Sequence, residues 1–319
     1  MKILFVWSGL TGYMGDCWRA LAVQDGVELK VSVDLGEKYF GGGFDADAVL
    51  RGLDWAAELP ADWRPDIVFT VGWHNALCRS AALRKDWRDV PKVCCFDMPW
   101  RRSLRCLAAR FVLGRYLHLF DAAYVSGASA AKYARWLGFR KVEQGLFSTD
   151  LSRFDAPHIG GQGFLFVGRD VRDKGLDVLR EAHRLYQVRG GTWGLRIVNG
   201  VQPSELGDIY RAADCFVLPS RWEPWGVVLA EAAGAGLPII CTDRCGARLE
   251  VVRENGIVVP SEDAEALSRA MARLSQLPPE ERASMGAWGR SLSQPFDCTA
   301  WAARTQSLAK SLVNHTQIP

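Results

Sequence analysis

The segment EPWGVVLAE places carboxylates at Glu223 and Glu231, eight positions apart, on either side of a glycine and an aliphatic run. The apolar pattern predicts a helix that begins at about Val227, directly after a strand and a short loop. The first N–H groups of a helix have no intrahelical acceptor and lie at the positive end of its dipole. The backbone of Trp225, Gly226 and Val227 is therefore suited to binding a phosphate group.

The two carboxylates are predicted to differ in role. Glu223 lies before the helix, where the alternative to ligand binding is helix capping. Glu231 lies about two turns inside the helix, near the apolar layer, where a carboxylate needs a hydrogen-bonding partner. The vicinal hydroxyls of a ribose can both donate to one carboxylate. Backbone N–H groups that can donate to phosphate thus lie between two carboxylates that can accept from hydroxyls. This order fits a ligand composed of a sugar, a diphosphate and a ribose.

A second group of charges lies in FLFVGRDVRDKGLD. Arg169 follows the end of a predicted strand, and Lys174 is expected to open the next helix. Two cations fixed at a strand-to-helix turn can neutralise a diphosphate. The alternative interpretation is a solvated, charged loop.

Apolar runs of strand length alternate with helical patterns along the chain, which predicts an α/β protein with doubly wound parallel sheets. A polar segment rich in Gly, Pro and Asp interrupts the pattern at 151–162 and predicts a linker between domains at 1–150 and 163–293. The last helix, within 294–319, is expected to pack back on the first domain. Ligands of such folds bind beyond the carboxyl ends of the strands, so we expect the site between the two domains.

Three segments of the second half together resemble the retaining nucleotide-sugar glycosyltransferases of family 4, also called group 1. They are GRDVRDKGLD, ELGDIYRAADCFVLPS and PSRWEPWGVVLAEAAGAGLPII. QGLFSTDLSRF resembles the segment that ends the first domain of that family. The resemblance implies a GT-B fold, in which two Rossmann-like domains face each other across a cleft. The short span from LRIVNG to PSELGDIY implies a second domain that is somewhat shortened.

The resemblance also implies roles for the residues of the second domain, which would be the donor side. Glu223 would contact the hydroxyls of the transferred sugar, and Glu231 would accept from the ribose. Arg169 and Lys174, with the backbone of 225–227, would hold the departing diphosphate. The implied enzyme is of the hexosyltransferase type and needs neither a metal nor a cofactor. It moves a sugar from a nucleoside diphosphate to a hydroxyl of a glycan, a lipid-linked sugar or a small molecule, and keeps the anomeric configuration.

In the first domain, the turn WSGLTGYMGD has glycines at Gly9, Gly12 and Gly15. This spacing is not G-x-G-x-x-G, so the signal for dinucleotide binding is weak. The family has a glycine-rich loop in this place, and the resemblance makes the three glycines candidates for contact with the donor phosphate or the acceptor. The alternative is a tight strand-to-helix turn.

Three further candidates follow predicted strands of the first domain, the acceptor side. Family members often carry a histidine after the strand that matches PKVCCF, whereas this chain has FDMPW. Asp97 stands at or next to that position and is a candidate active-site group; helix capping is the alternative. Trp73 and His74 follow the strand DIVFTVG and are candidates for acceptor contacts, although a lone histidine is more often structural.

The composition limits the class of protein. The chain has 319 residues, 49% of them hydrophobic, and a net charge of +3, which is too weak to indicate nucleic-acid binding. Its nine cysteines show no metal-binding spacing and are expected to be buried in a reducing compartment. The N-terminal apolar run is too short for a signal peptide and no run has the length of a membrane span. These features predict a cytoplasmic protein.

The segment 100–120 predicts a basic amphipathic helix, with Leu104, Leu107, Ala108 and Phe111 on one face. We interpret it as an ordinary domain helix with a solvated basic side. Peripheral contact with the acidic inner face of a membrane is the alternative.

Two other functions remain open from the sequence. The missing histidine keeps open a sugar-nucleotide-binding module of the same fold with weak catalysis. A dinucleotide-dependent oxidoreductase would need the G-x-G-x-x-G pattern that the first turn lacks.

Overall fold

The computed structural model describes residues 1–36, 45–101, 103–161 and 163–316. The chain divides into two compact units. The first unit contains residues 1–150 and 298–319, and the second contains residues 151–297.

The first unit is built on a parallel sheet with the strand order β3-β2-β1-β4-β5-β6-β7. Its strands are β1 (Lys2–Ser8), β2 (Glu28–Asp34), β3 (Trp55–Ala56), β4 (Ile67–Val71), β5 (Lys92–Phe96), β6 (Ala122–Val125) and β7 (Val142–Gln144).

The second unit is built on a smaller parallel sheet with the order β12-β11-β10-β8-β9. Its strands are β8 (Phe164–Val167), β9 (Leu195–Val198), β10 (Cys215–Leu218), β11 (Ile239–Thr242) and β12 (Gly256–Val259). Each of these runs is mostly apolar, as is typical of strands covered on both faces.

Helices connect the strands of both sheets. They are α1 (Gly12–Ala22), α2 (Ala46–Leu50), α3 (Ala76–Leu83), α4 (Leu104–Leu117), α5 (Ala128–Leu137), α6 (Leu176–Val188), α7 (Leu206–Arg211), α8 (Val227–Gly234), α9 (Arg248–Val251), α10 (Ala264–Ser275), α11 (Pro279–Ser293) and α12 (Cys298–Thr316).

Aromatic side chains fill the core of the first unit. Phe5 of β1 stacks on Phe69 of β4 with ring centroids 4.6 Å apart. Trp301 of α12 lies 5.7 Å from Phe5, and its indole N–H donates to the carbonyl oxygen of Leu146 at 2.7 Å. A buried aromatic ring removes a large apolar area from water, so these contacts bind α12 to the first unit.

The segment 151–162 differs from the polar linker that its composition predicts. Residues Leu151–Phe154 form a turn of 3₁₀ helix that belongs to the second unit. Leu151 and Phe154 are buried, and the ring of Phe154 lies 5.3 Å from that of Tyr210. The spacing of two apolar residues three positions apart is the sequence signal for this turn.

Helix α11 has no counterpart in the sequence-based interpretation, and it supports α8. Gly286 and Gly289 lie on the side of α11 that faces the end of α8. A Cβ atom on Gly286 would lie 2.2 Å from the carbonyl oxygen of Gly236, and one on Gly289 would lie 3.2 Å from that of Ala233. The two glycines therefore allow the close approach of α11 to α8.

Helix α4 also differs from expectation. It is shorter than the predicted 100–120, and its apolar side is exposed to solvent at Leu104, Phe111 and Val112. The ordinary domain helix that the sequence favoured would bury that side.

All nine cysteines are buried and none forms a disulfide. Among the described residues, no helix combines the length and the hydropathy needed to cross a bilayer.

Candidate active site

The loop between β10 and α8 is fixed by the turn after β11. Glu223 forms a parallel bridge with Cys245, and the N–H of Gly246 donates to the carbonyl oxygen of Glu223 at 2.9 Å. A Cβ atom on Gly246 would lie 1.9 Å from the carbonyl oxygen of Pro224, so only glycine fits there. The backbone of the loop, and with it the position of Glu223, is therefore held by hydrogen bonds and close contacts.

Helix α8 begins at Val227, as the sequence predicts, and Gly226 precedes it in the left-handed region with φ of 95°. A Cβ atom on Gly226 would lie 2.9 Å from the Cγ atom of Glu223. The glycine thus allows both the helix start and the placement of the neighbouring carboxylate.

Lys174 and Glu223 form an ion pair between Nζ and Oε2. Their side chains are 18% and 12% exposed, so solvent screens the pair only in part. The sequence predicted that Lys174 opens α6. Lys174 instead ends a 3₁₀ turn over Arg172–Lys174. Gly175 follows with φ of 67°, and a Cβ atom there would lie 2.3 Å from the carbonyl oxygen of Pro219. The structure thus joins two residues for which the resemblance implied separate ligand contacts.

Arg169 is exposed, two residues beyond the end of β8. Its guanidinium makes no ion pair or hydrogen bond with any residue in the described part of the chain. The neighbouring Asp170 instead pairs with Arg180 at 3.3 Å. The donors of the Arg169 guanidinium are therefore not used within the described part of the chain.

Glu231 is 7% exposed within α8, and its Oε2 atom accepts a hydrogen bond from the hydroxyl of Tyr210 at 2.9 Å. Tyr210 lies in α7 and is fully buried. Burial, and then the charge of Glu231, raise the pKa of Tyr210 well above its ordinary value. The phenol therefore remains a donor, and it is a partner for Glu231 that sequence reasoning missed. The sequence feature that could have indicated Tyr210 is its position in ELGDIYRAADCFVLPS, one of the segments that carry the resemblance.

The side chain of Trp225 belongs to the core of the second unit. It is 2% exposed, and its ring lies 5.1 Å from that of Phe296. Its indole N–H is buried and has no hydrogen-bond partner among the residues that the structure describes. The carbonyl oxygen of Trp225 accepts from the N–H of Ala247 at 2.8 Å. Trp225 can therefore serve a ligand through its backbone N–H but not through its ring.

The glycine turn of the first unit is shorter than expected. Gly9 directly follows β1 with φ of 78°, whereas Gly12 is already the first residue of α1. Gly15 lies inside that helix, where a Cβ atom would be 2.5 Å from the carbonyl oxygen of Val49. Close packing of α1 against α2 thus explains Gly15. The sequence-based interpretation overlooked Thr11, whose buried hydroxyl precedes α1 without capping it.

Trp73, His74 and Asp97 occupy different environments at the ends of β4 and β5. Trp73 is 4% exposed and packs on Phe96 at 5.4 Å, so it is a core residue and not a surface for an acceptor. His74 is exposed, with its ring 5.7 Å from that of Trp73. Asp97 is half-buried, one residue beyond β5.

A hydrogen bond that the sequence did not suggest joins the ends of two strands. The amide of Asn75 donates to Oδ2 of Asp34 at 2.5 Å, and Oδ1 of Asp34 accepts from the N–H of Gly36 at 2.9 Å. Because β1 lies between β2 and β4 in the sheet, this bond spans the carboxyl end of β1, beside Gly9. In doubly wound sheets, ligands bind at this edge.

The two parallel sheets with their helices define a protein of the GT-B fold. A sucrose-phosphate synthase of Thermosynechococcus elongatus superposes with a TM-score of 0.73 at 18% identity, over 99% of this chain and 100% of that one. A glycosyltransferase of Rickettsia africae gives 0.75 at 14% identity, over 98% of each chain. HepE of Anabaena, solved in complex with UDP, gives 0.72 at 14% identity, over 98% and 100% of the two chains.

Within that fold, residues 191–292 match the model of the family described as glycosyl transferases group 1. This region of the chain is therefore similar to the group 1 glycosyl transferases, and it contains both Glu223 and Glu231. A D-inositol 3-phosphate glycosyltransferase of Saccharomonospora viridis is 35% identical over 105 residues, which are 33% of this chain and 23% of the relative. A lipopolysaccharide core mannosyltransferase of Rhizobium meliloti is 37% identical over 81 residues, 24% of this chain and 23% of the relative. The matches thus cover about a quarter of the length of these two relatives.

Proposed function

We propose that the chain is a retaining glycosyltransferase that moves a sugar from a nucleoside diphosphate to an acceptor hydroxyl. The observation that carries the proposal is the arrangement around α8. The ion-paired carboxylate of Glu223 precedes the helix, Gly226 lies directly before its first turn, and Glu231 lies within the helix. The family match covers Glu223, Gly226 and Glu231, whereas Lys174 lies before the matched residues.

The donor diphosphate would bind at the start of α8. The unpaired N–H groups of the first turn and the guanidinium of Arg169 supply donors, and Lys174 supplies a second positive charge. Since Lys174 is paired with Glu223, the diphosphate would replace the carboxylate as the partner of the ammonium group. Glu223 would then accept hydrogen bonds from the hydroxyls of the transferred sugar.

Glu231 would hold the ribose of the donor. An ionised carboxylate has about four acceptor sites on its two oxygens, and the hydrogen bond from Tyr210 uses one of them. A carboxylate with several acceptor sites can accept from both vicinal hydroxyls of a ribose. Tyr210 would act as a positioning residue that fixes the orientation of the carboxylate.

The reaction breaks the bond between the anomeric carbon and the diphosphate oxygen and forms a bond from that carbon to the acceptor oxygen. The acceptor proton passes to the departing diphosphate. Arg169 and Lys174 stabilise the charge that develops on the leaving group, which is the role a metal ion has in other transferases. We therefore propose a reaction that needs no metal.

The acceptor would bind at the carboxyl edge of the first sheet, where Gly9, His74 and Asp97 lie. Support for a sugar or polyol acceptor comes from the relatives, one of which is an inositol 3-phosphate glycosyltransferase and another a lipopolysaccharide core mannosyltransferase.

A screen of UDP-, GDP-, ADP- and dTDP-sugars by thermal shift, followed by hydrolysis and transfer assays with the best donor, tests the proposal. We expect one donor class to raise the melting temperature and to be consumed equally with and without EDTA. NMR of the product should show the anomeric configuration of the donor. Binding without turnover would instead favour the weakly catalytic sugar-nucleotide-binding module. The absence of any thermal shift would contradict both functions.

A further inference from the structure

Helix α4 presents an apolar stripe to solvent. Leu104, Phe111 and Val112 are 85%, 83% and 78% exposed, and Leu107 is 38% exposed. The positions 104, 107 and 111 follow helical spacing, so they form one continuous face. The opposite side of α4, where Cys106 is buried, packs against the first unit.

The charges around α4 are strongly asymmetric. Between residues 98 and 140 the sequence has eight Arg and Lys residues and one acid, Asp121, which gives a net charge of +7 in a chain whose total is +3. The rest of the chain is therefore net acidic. A segment with this balance is attracted to polyanionic surfaces.

Cationic side chains flank the stripe. Arg115 is exposed in the last turn of α4. The guanidinium of Arg110 lies 5.7 Å from the ring centroid of Trp136. A surface depression of about 410 Å³ adjoins the C-terminal half of α4, and its lining includes Arg110, His118 and Arg140. Exposed apolar residues bordered by arginine are typical of helices that lie in the interface of a bilayer.

We propose that α4 docks the protein on an anionic phospholipid bilayer. Leu104, Phe111 and Val112 enter the boundary between headgroups and acyl chains, and the arginines contact the lipid phosphates. Two copies of the chain would pair poorly through their α4 faces, because the two strongly cationic surfaces would repel each other. The proposal does not depend on the transferase activity.

Co-sedimentation of the full chain with vesicles tests the proposal. We expect binding to vesicles of phosphatidylcholine with phosphatidylglycerol, little binding to phosphatidylcholine alone, and weaker binding at high salt. The double variant Leu104→Ser/Phe111→Ser should bind at least about tenfold more weakly. Arg110→Gln and Arg115→Gln should each weaken binding roughly fivefold.

The matched controls are Val23→Ser and Val188→Ser, which remove valines that are 79% and 74% exposed elsewhere on the surface. Both should bind like the wild type, and all variants should keep its melting temperature. Equal binding by the folded Leu104→Ser/Phe111→Ser variant would overturn the proposal, as would a failure of the wild type to sediment. A wild-type dimer that this variant converts to a monomer in light scattering would also overturn it, in favour of self-association.

Discussion

Lys174 and Glu223 are 49 residues apart in the chain and form an ion pair within the second unit. Their side chains are 18% and 12% exposed, so solvent screens the pair only in part. Under the proposed function, a diphosphate that replaces the carboxylate as the partner of Lys174 would free Glu223 for the sugar. The pair would then couple donor binding to the preparation of Glu223.

Replacement of Glu223 should abolish transfer. In Glu223→Ala we expect kcat to fall by roughly 10²–10³ or more, because the sugar loses a charged partner in the transition state. The change also leaves the ammonium of Lys174 without its partner, which should lower the free energy of unfolding by about 1–3 kcal/mol. The double variant Lys174→Met/Glu223→Ala should recover part of the stability but no activity. Wild-type turnover in Glu223→Ala, measured by donor consumption, would contradict this assignment.

Substitution of Gly226 should disturb the site through both the backbone and Glu223. In Gly226→Ala the alanine must adopt a left-handed φ, and its Cβ atom lies 2.9 Å from Cγ of Glu223. We therefore expect the free energy of unfolding to fall by about 1–3 kcal/mol and the affinity for the donor to fall as well. Gly190→Ala is the matched control, because Gly190 has φ of 86° and open space around its Cβ position. The Gly190→Ala variant should lose stability but keep the wild-type affinity for the donor. Equal donor affinity in the two variants, measured by calorimetry, would argue against a contact between Gly226 and the site.

Tyr210→Phe should weaken donor binding while it leaves the chemical step nearly unchanged. The substitution removes the hydrogen bond that orients Glu231, so we expect KM for the donor to rise roughly tenfold with kcat within about twofold. Glu231→Gln should raise KM further, because the ribose loses a charged acceptor. If Tyr210→Phe lowered kcat and left KM unchanged, Tyr210 would not be a positioning residue for the ribose site.

The stability of the chain should fall in strongly alkaline solution. The pKa of Tyr210 is raised from its ordinary value of 10.0, chiefly by burial, so above pH 10 the unfolded chain loses a proton that the folded chain keeps. The free energy of unfolding therefore decreases with pH, by about 1.4 kcal/mol per unit for each such group. Buried Tyr124 acts in the same direction. Chemical denaturation at pH 9 to 11 should show that the free energy of unfolding declines less steeply with pH in Tyr210→Phe than in the wild type. Equal slopes for the two proteins would contradict the raised pKa of Tyr210.

Local patterns were sufficient for most of the fold and for the start of α8. The predicted start of α8 at Val227 is confirmed, as are the two parallel sheets. The turn over 9–15 was misjudged, because glycines lower local helix propensity and the contact that explains Gly15 comes from Val49, 34 positions away. Trp73 was misjudged because its burial depends on packing against Phe96.

The sequence by itself determined the alternation of strands and helices, the helix start between two glutamates, and the cationic segment around α4, since each is a property of neighbouring residues. Only the tertiary structure decided that Lys174 pairs with Glu223 and that Tyr210 donates to Glu231. It also decided that the apolar side of α4 points to solvent. Partners and the direction of a helix face depend on which distant segments pack together, and hydrophobic periodicity carries no information about that choice.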